Sequence, residues 1–129
     1  MTPLALLMHR EIEQVPQTAT LLDVARRMRD RKVGALLVSD GTGPIGIVSD
    51  ADIVRKAMAD GRDPATTPVS AIMSRPIISI DIDRTAWEAS DLMATRGIRH
   101  LVVTDGDDGR NIVGILSVRD LLVCFKNRL

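Results

Sequence analysis

Two serine–aspartate pairs are the residues of this sequence whose types and spacing are best suited to binding chemistry. Ser49 precedes Asp52 and Ser117 precedes Asp120, each time by three positions and directly after an apolar run. At the start of a helix, such residues lie beside free N–H groups and the positive end of the helix dipole, which favours a phosphate. The carboxylate can also accept two hydrogen bonds from ribose hydroxyls. The structural alternative is that serine only caps the helix and aspartate only stabilises its first turn.

Other reactive side chains are too few to predict a catalytic or metal centre. The sequence has two histidines, His9 and His100, and one thiol, Cys124. A nucleophile and its base would have to meet in space, and a structural zinc site needs four ligands. We therefore expect no catalytic residue and no metal site, and we expect the chain not to be an enzyme. Cys124 is expected to be a core or interface thiol.

The composition argues against several classes of partner. The 129 residues include 17 Lys and Arg and 17 Asp and Glu, which gives no net charge, and only 2% are aromatic. Nucleic-acid and anionic-membrane binders need excess positive charge, and single-stranded nucleic acids need aromatic platforms. The basic residues between positions 26 and 32 are therefore expected to face water. No stretch approaches the ~18 apolar residues of a membrane span. The lone thiol and the lack of targeting signals predict a cytoplasmic location.

The sequence is duplicated, which must be considered before any fold is assigned. A shift of 65 residues aligns the two halves up to about residue 41. The matches include Met8 with Met73, Thr20 with Thr85, Met28 with Met93, Leu36 with Leu101 and Gly41 with Gly106. After a three-residue insertion around residues 107–110, a shift of 68 aligns residues 46–52 with residues 114–120. Chance is not expected to give so many matches in the same order along both halves.

Each copy predicts the same order of elements. Thr20 and Thr85 can cap helices whose apolar residues recur at helical spacing. Two apolar strands joined by an Asp-Gly turn follow, and a second helix begins after Ser49 or Ser117. A further strand precedes each copy, around residues 12–15 and 77–80. Each β-α-β-β-α half is marginal alone, so we expect an α+β fold in which both halves pack sheet to sheet around one core with pseudo-two-fold symmetry.

These motifs resemble the CBS domain, which is named for cystathionine beta-synthase. The resemblance is carried by Gly-Ile-Val-Ser-Asp-Ala-Asp-Ile at 46–53, Met-Ser-Arg-Pro-Ile-Ile at 73–78, Ile-Arg-His-Leu-Val-Val at 98–103 and Gly-Ile-Leu-Ser-Val-Arg-Asp-Leu at 114–121. It covers residues 8–122 and implies a stand-alone tandem CBS pair, often called a Bateman module. We expect a first CBS repeat with an N-terminal helix at 1–60, a linker at 61–72 and a second repeat at 73–129.

The resemblance also implies two unlike nucleotide clefts, since the strand entering one copy lines the cleft whose ribose aspartate comes from the other. The first cleft would combine Asp120, Ser117, Arg119, Arg99, His100 and backbone near Ile12. The second would combine Asp52, Ser49, Gly34, Pro76, Ile77 and Ile78. Arg99 and Arg119 would give the first cleft two cations, so phosphorylated adenosine ligands should prefer it. Glu13 replaces the apolar counterpart of Ile78, and its carboxylate would either bind the base amine or spoil the cleft.

The function that the resemblance implies is sensing. An adenosine nucleotide (AMP, ADP, ATP or a related adenosyl compound) would bind as a ligand, no cofactor would be required, and an unidentified partner protein would be regulated. The family commonly forms dimers through exposed helix faces. The expected homodimer contacts are Leu121, Leu122, Phe125, Met58 and Trp87. The alternative is a ligand-independent dimerising scaffold, whereas turnover of a nucleotide would indicate a small enzyme.

Overall fold

The structure is a computed structural model that describes residues 2–106 and 109–126. Part of the insertion expected around residues 107–110 therefore lies outside the described residues. The chain divides into two compact units. The first unit is Glu13–Ile77, and the second unit combines Met1–Ile12 with Ile78–Leu129. Residues 2–12 therefore pack with the elements of the second sequence copy.

Both units contain the element order predicted for the repeats. In chain order the elements are α1 (Leu4–Leu7), β1 (Gln14–Pro16), α2 (Leu21–Arg31), β2 (Ala35–Ser39), β3 (Pro44–Ser49), α3 (Asp50–Asp52), a π-helix (Ile53–Met58) that continues α3, a 3-10 helix (Val69–Ala71), β4 (Ser79–Asp81), α4 (Ala86–Arg96), β5 (His100–Thr104), β6 (Ile112–Ser117) and α5 (Val118–Lys126). The α+β class and the β-α-β-β-α order of each repeat are confirmed.

Each unit is built on a mixed sheet of three strands among the described residues. β1 pairs parallel with β2, and β2 pairs antiparallel with β3. β4, β5 and β6 repeat this arrangement in the second unit. A parallel pair needs a crossover connection, which α2 and α4 provide. The register is also repeated, since Val15 lies opposite Val38 and Ile80 lies opposite Val103.

The helices begin where the sequence predicts. The Thr20 hydroxyl accepts a hydrogen bond from the N–H of Asp23 at 3.2 Å, and Thr85 accepts one from Glu88 at 3.1 Å. Glu88 in turn accepts the Thr85 N–H, which completes a capping box. α4 ends at Gly97 in the left-handed conformation, which glycine adopts without steric cost. Thr20 and Thr85 thus set the start of the helix that crosses each sheet.

The two units have separate cores of similar composition. In the first, the buried side of α2 packs with apolar residues of the sheet. In the second, the buried side of α4 packs with β5, β6 and α5, and Cys124 is part of this core, as predicted. Leu4 and Met8 are also buried there, so the N-terminal segment is held by the second unit. None of the described helices is long and apolar enough to cross a membrane.

Candidate functional site

The segment that precedes each sequence copy lies along the last strand of the other copy. His9 and Ile115 exchange backbone hydrogen bonds of 2.9 and 3.0 Å, and Ser74 and Ile47 exchange bonds of 2.8 and 3.0 Å. Gly114 permits the first approach, since a Cβ there would lie 3.0 Å from the His9 carbonyl oxygen. These bridges bring His9 and Ser74 beside the two serine–aspartate pairs, in the exchange that the sequence resemblance implies.

Asp120 and Ser117 form the start of α5 and hold each other in place. The Ser117 N–H and hydroxyl both donate to Asp120 Oδ2, at 2.8 and 2.9 Å, and the Asp120 N–H donates to Ser117 Oγ at 3.2 Å. The Val118 N–H donates to the carbonyl of Arg99 at 2.8 Å. The structural role of the pair as a capping box is therefore present, and it engages one carboxylate oxygen with Ser117.

His9 contacts the other oxygen of this carboxylate. Its Nε2 lies 3.1 Å from Asp120 Oδ1, and the imidazole is 71% exposed whereas the Asp120 side chain is 15% exposed. The sequence analysis did not identify His9 as a site residue. The signal was present, because the 65-residue shift aligns His9 with Ser74, whose hydroxyl has the same role in the first unit.

Asp52 is contacted by a serine hydroxyl and an ammonium where Asp120 is contacted by an imidazole. Its Oδ2 accepts the Ser49 N–H at 3.0 Å, and its own N–H donates to the Ser49 hydroxyl at 3.2 Å. The Ser74 hydroxyl donates to both carboxylate oxygens, at 3.1 and 3.2 Å. The ammonium of Lys56 lies 3.1 Å from Oδ1. Lys56, like His9, was missed by the sequence analysis.

The remaining residues predicted for the first cleft belong to the same unit as Asp120. Arg99 and Arg119 are exposed beside the start of α5, and the salt bridges among the described residues do not include them. His100 begins β5 opposite Ser117 in the sheet register and is half-buried. Ile12 is half-buried and is the last residue of the N-terminal segment of this unit.

The residues predicted for the second cleft do not all share a unit. Gly34 corresponds to Arg99, and its carbonyl accepts the Asp50 N–H at 3.0 Å. Pro76 is exposed and Ile77 is half-buried, both within the first unit. Ile78 lies in the second unit, where its carbonyl accepts the Val102 N–H at 3.2 Å.

Glu13 has a role that the sequence analysis did not consider. Its carboxylate oxygens lie 3.2 Å from Arg27 Nη1 and 3.3 Å from Arg31 Nε, both on α2. The carboxylate is therefore neutralised by two guanidinium groups. The Arg27 side chain is 46% exposed and the Arg31 side chain 63%, so both still face water as predicted apart from this contact.

No cluster of three or more His, Cys, Asp or Glu side chains that could hold a metal ion occurs within residues 2–106 and 109–126. Hydrogen bonds and charge are offered by the Asp120 carboxylate, the Arg99 and Arg119 guanidinium groups and the imidazoles.

Comparison with known protein families identifies the repeats. The CBS domain model matches residues 5–59 and again residues 69–127. The chain belongs to the CBS domain family. The two matches make it a tandem CBS pair, which confirms the expectation drawn from the serine–aspartate motifs.

Relatives of this CBS pair differ in length. An uncharacterised protein of Methanopyrus kandleri is 33% identical over 88% of this chain and 57% of its own length. The CBS domain-containing protein YhcV of Bacillus subtilis is 34% identical over 90% of this chain and 80% of its own. A CBS domain-containing protein of Arabidopsis thaliana is 32% identical, and the match covers 86% of this chain but 19% of the plant protein. The pair therefore spans little more than half of the first relative and about a fifth of the third.

Solved structures have the same fold. A candidate signal-transduction protein with CBS domains from Burkholderia ambifaria superimposes with a TM-score of 0.84 at 31% identity, covering 90% of this chain and 83% of that one. The CBS domain pair of protein MJ0100, solved with 5′-methylthioadenosine and S-adenosyl-L-methionine, gives a TM-score of 0.85 at 20% identity over 100% of this chain and 99% of its own. At that identity the second likeness shows the fold alone.

Proposed function

We propose that this CBS pair is a non-catalytic regulatory module that binds an adenosine-type ligand at Asp120 and passes the signal to a partner protein. The observation that carries the proposal is the environment of the Asp120 carboxylate. Oδ2 is held by Ser117, while Oδ1 is contacted by an imidazole that is mostly exposed. A ribose offers two adjacent hydroxyl donors, and an exposed imidazole is displaced from Oδ1 at low cost.

Charge supports the same choice of ligand. Arg119 lies in the first turn of α5 and Arg99 lies beside it, since the Arg99 carbonyl accepts the Val118 N–H; neither takes part in the salt bridges of the described residues. A phosphorylated ligand would give these guanidinium groups an anion to bind in a bidentate manner. The MJ0100 pair was solved with two adenosine derivatives, which supports the adenosine class for a pair of this fold.

Displacement of His9 offers a route for the signal. His9 belongs to the N-terminal segment, which is hydrogen-bonded to β6 through Ile115. A ligand that takes the place of the imidazole at Asp120 changes how this segment is held. A partner that binds the segment in one of its two states would then respond to the ligand, provided that the ligand binds those states with different affinity.

The test is calorimetric titration of the wild type, Asp120→Asn and Asp52→Asn with AMP, ADP, ATP and S-adenosylmethionine. Loss of a hydrogen bond to a charged group is worth about 1.5–3 kcal/mol, so Asp120→Asn should weaken binding roughly ten- to a hundredfold. Asp52→Asn should leave the affinity within about twofold, well below 1.4 kcal/mol. Thermal melting of each variant controls for folding, and equal weakening by the two substitutions would contradict the proposal.

A ligand-independent dimerising scaffold is the second candidate, and exposed apolar side chains favour it. Trp87 stacks on Phe125 with ring centroids 4.9 Å apart, and Trp87, Leu122 and Val123 are more than half exposed. Such a patch is unusual on a monomer, so we propose that the chain forms a homodimer in either case. Leu121 is buried, so its expected place in the interface is wrong. No binding of any nucleotide by a dimeric wild type would favour the scaffold.

A further inference from the structure

We infer that Lys56 closes the serine–aspartate site of the first unit, so that the chain has one ligand-binding aspartate instead of two. The inference rests on the proposed function and deepens it, since it assigns the place and the number of ligands. The sequence analysis preferred the Asp120 cleft because of Arg99 and Arg119. Lys56 adds a reason that lies at Asp52 itself.

The ammonium of Lys56 is engaged at this site. It lies 3.1 Å from Asp52 Oδ1, donates to Ser74 Oγ at 3.0 Å and donates to the carbonyl of Ile72 at 3.3 Å. The ammonium thus makes two hydrogen bonds to the segment of Ile72 and Ser74 in addition to its ion pair with Asp52. Lys56 therefore neutralises the carboxylate and joins it to the segment that carries Ile72 and Ser74.

Three donors surround the Asp52 carboxylate, and one of them, the Lys56 ammonium, is charged. Within the described chain, Oδ1 of Asp52 contacts Lys56 and Ser74, and Oδ2 contacts Ser49 and Ser74. The Asp120 carboxylate differs, because its Oδ1 contacts His9 while Ser117 contacts Oδ2. A ribose would have to replace a charged ammonium at Asp52, where it also contacts Ser74 and Ile72, but only an imidazole that is 71% exposed at Asp120.

The π-helix explains why a lysine can occupy this position. The 68-residue shift aligns Lys56 with Cys124, which is buried in the core of the second unit. In the first unit the helix is widened, and the Ala59 N–H donates to the carbonyl of Val54, five residues earlier. Ala57 is buried in this helix, one position later than the alignment with Cys124 would place the core residue. Lys56 is thereby turned away from the core, and its side chain reaches back to Asp52.

The test is the number of ligands bound per chain, measured by calorimetry with AMP, ATP and S-adenosylmethionine as separate probes. The wild type should bind one ligand, and this binding should be weakened roughly ten- to a hundredfold in Asp120→Asn. Lys56→Met should bind a second ligand, and the double variant Lys56→Met with Asp52→Asn should bind one again. Lys56→Arg, which keeps the cation at Asp52, and Arg55→Met, which removes the neighbouring exposed cation, should both bind one.

Each outcome decides the inference separately from the proposed function. Two ligands per wild-type chain, or one per Lys56→Met chain, would overturn the inference and leave the proposed function intact. The wild type could also bind no ligand while Lys56→Met binds one that is lost when Asp52→Asn is added. This result would support the inference and would overturn binding at Asp120. No binding by either protein would overturn both. If Lys56→Met lacks a cooperative thermal transition, Lys56→Gln takes its place in the same titrations.

Discussion

The two oxygens of each carboxylate, Asp52 and Asp120, have different contacts. Oδ2 accepts the N–H of the serine that begins the helix, so this oxygen serves the fold. Oδ1 has a further partner: His9 of the N-terminal segment contacts it at Asp120, whereas Ser74 and Lys56, which lies one turn along the same helix, contact it at Asp52. The structural role thus leaves Oδ1 to a second partner, and in the function proposed above the neighbour of Oδ1 decides whether a ligand can bind.

The sequence predicted these serines and aspartates but not the neighbours of Oδ1. Ser117 and Asp120 are three positions apart, so their contact is local and follows from helix capping. His9 and Asp120 are 111 positions apart, and their contact depends on where the N-terminal segment pairs with β6. Helical or strand periodicity carries no information about such a bridge, and the alignment of His9 with Ser74 gave the available signal.

Gly114→Ala should separate the N-terminal segment from β6. A Cβ at this position would lie 2.6 Å from the Met8 sulfur and 3.0 Å from the His9 carbonyl oxygen. Met8 is buried, so it cannot simply move away, and overpacking of this kind costs about 1–3 kcal/mol. Urea denaturation followed by Trp87 fluorescence should show this loss. Gly43→Ala is the matched control, because nothing lies within 4 Å of a Cβ at Gly43; equal stability of both variants would refute the close approach.

At the scale of elements, the strands and the first helix of each repeat agree with the sequence analysis because local signals define them. Threonine caps and apolar spacing fix α2 and α4, and apolar runs fix β2 and β5. The π-helix was not predicted. Its apolar residues Ile53, Val54, Ala57 and Met58 also fit the spacing of an α-helix, so periodicity does not distinguish the two. The difference lies in the backbone hydrogen bonds, which no side-chain pattern reports.

Removal of the Thr85 cap should destabilise the fold. Thr85→Ala removes the acceptor for the Glu88 N–H and breaks the capping box of α4. The free energy of unfolding should fall by about 1 kcal/mol, as is usual for loss of an N-cap. Urea denaturation measures the change, and Thr85→Ser should retain most of the stability because it keeps the hydroxyl. A serine variant as unstable as the alanine variant would show that the hydroxyl is not the stabilising group.

In the whole molecule, the boundaries of the sequence repeats differ from the boundaries of the two compact units. The family match begins the first repeat at residue 5, whereas residues up to Ile12 pack within the second unit. Sequence alignment reports which residues were copied, and the cores report which residues are buried together. Leu4 and Met8 are buried in the core that contains Leu116. Truncation of the N-terminal segment would therefore expose the core of the second unit but not the core of the first.

The exposed apolar patch on α4 and α5 predicts that the chain self-associates. Leu122 is 61% exposed and lies on the helix that also carries Phe125, which stacks on Trp87. The wild type should be a dimer at micromolar concentration by light scattering, because a patch of this kind is stabilised when a second copy covers it. Leu122→Glu should give a monomer, since burying an unpaired carboxylate is costly. Leu6→Glu, an equally drastic change at the exposed Leu6 of α1, should remain dimeric; a monomeric wild type would refute the homodimer.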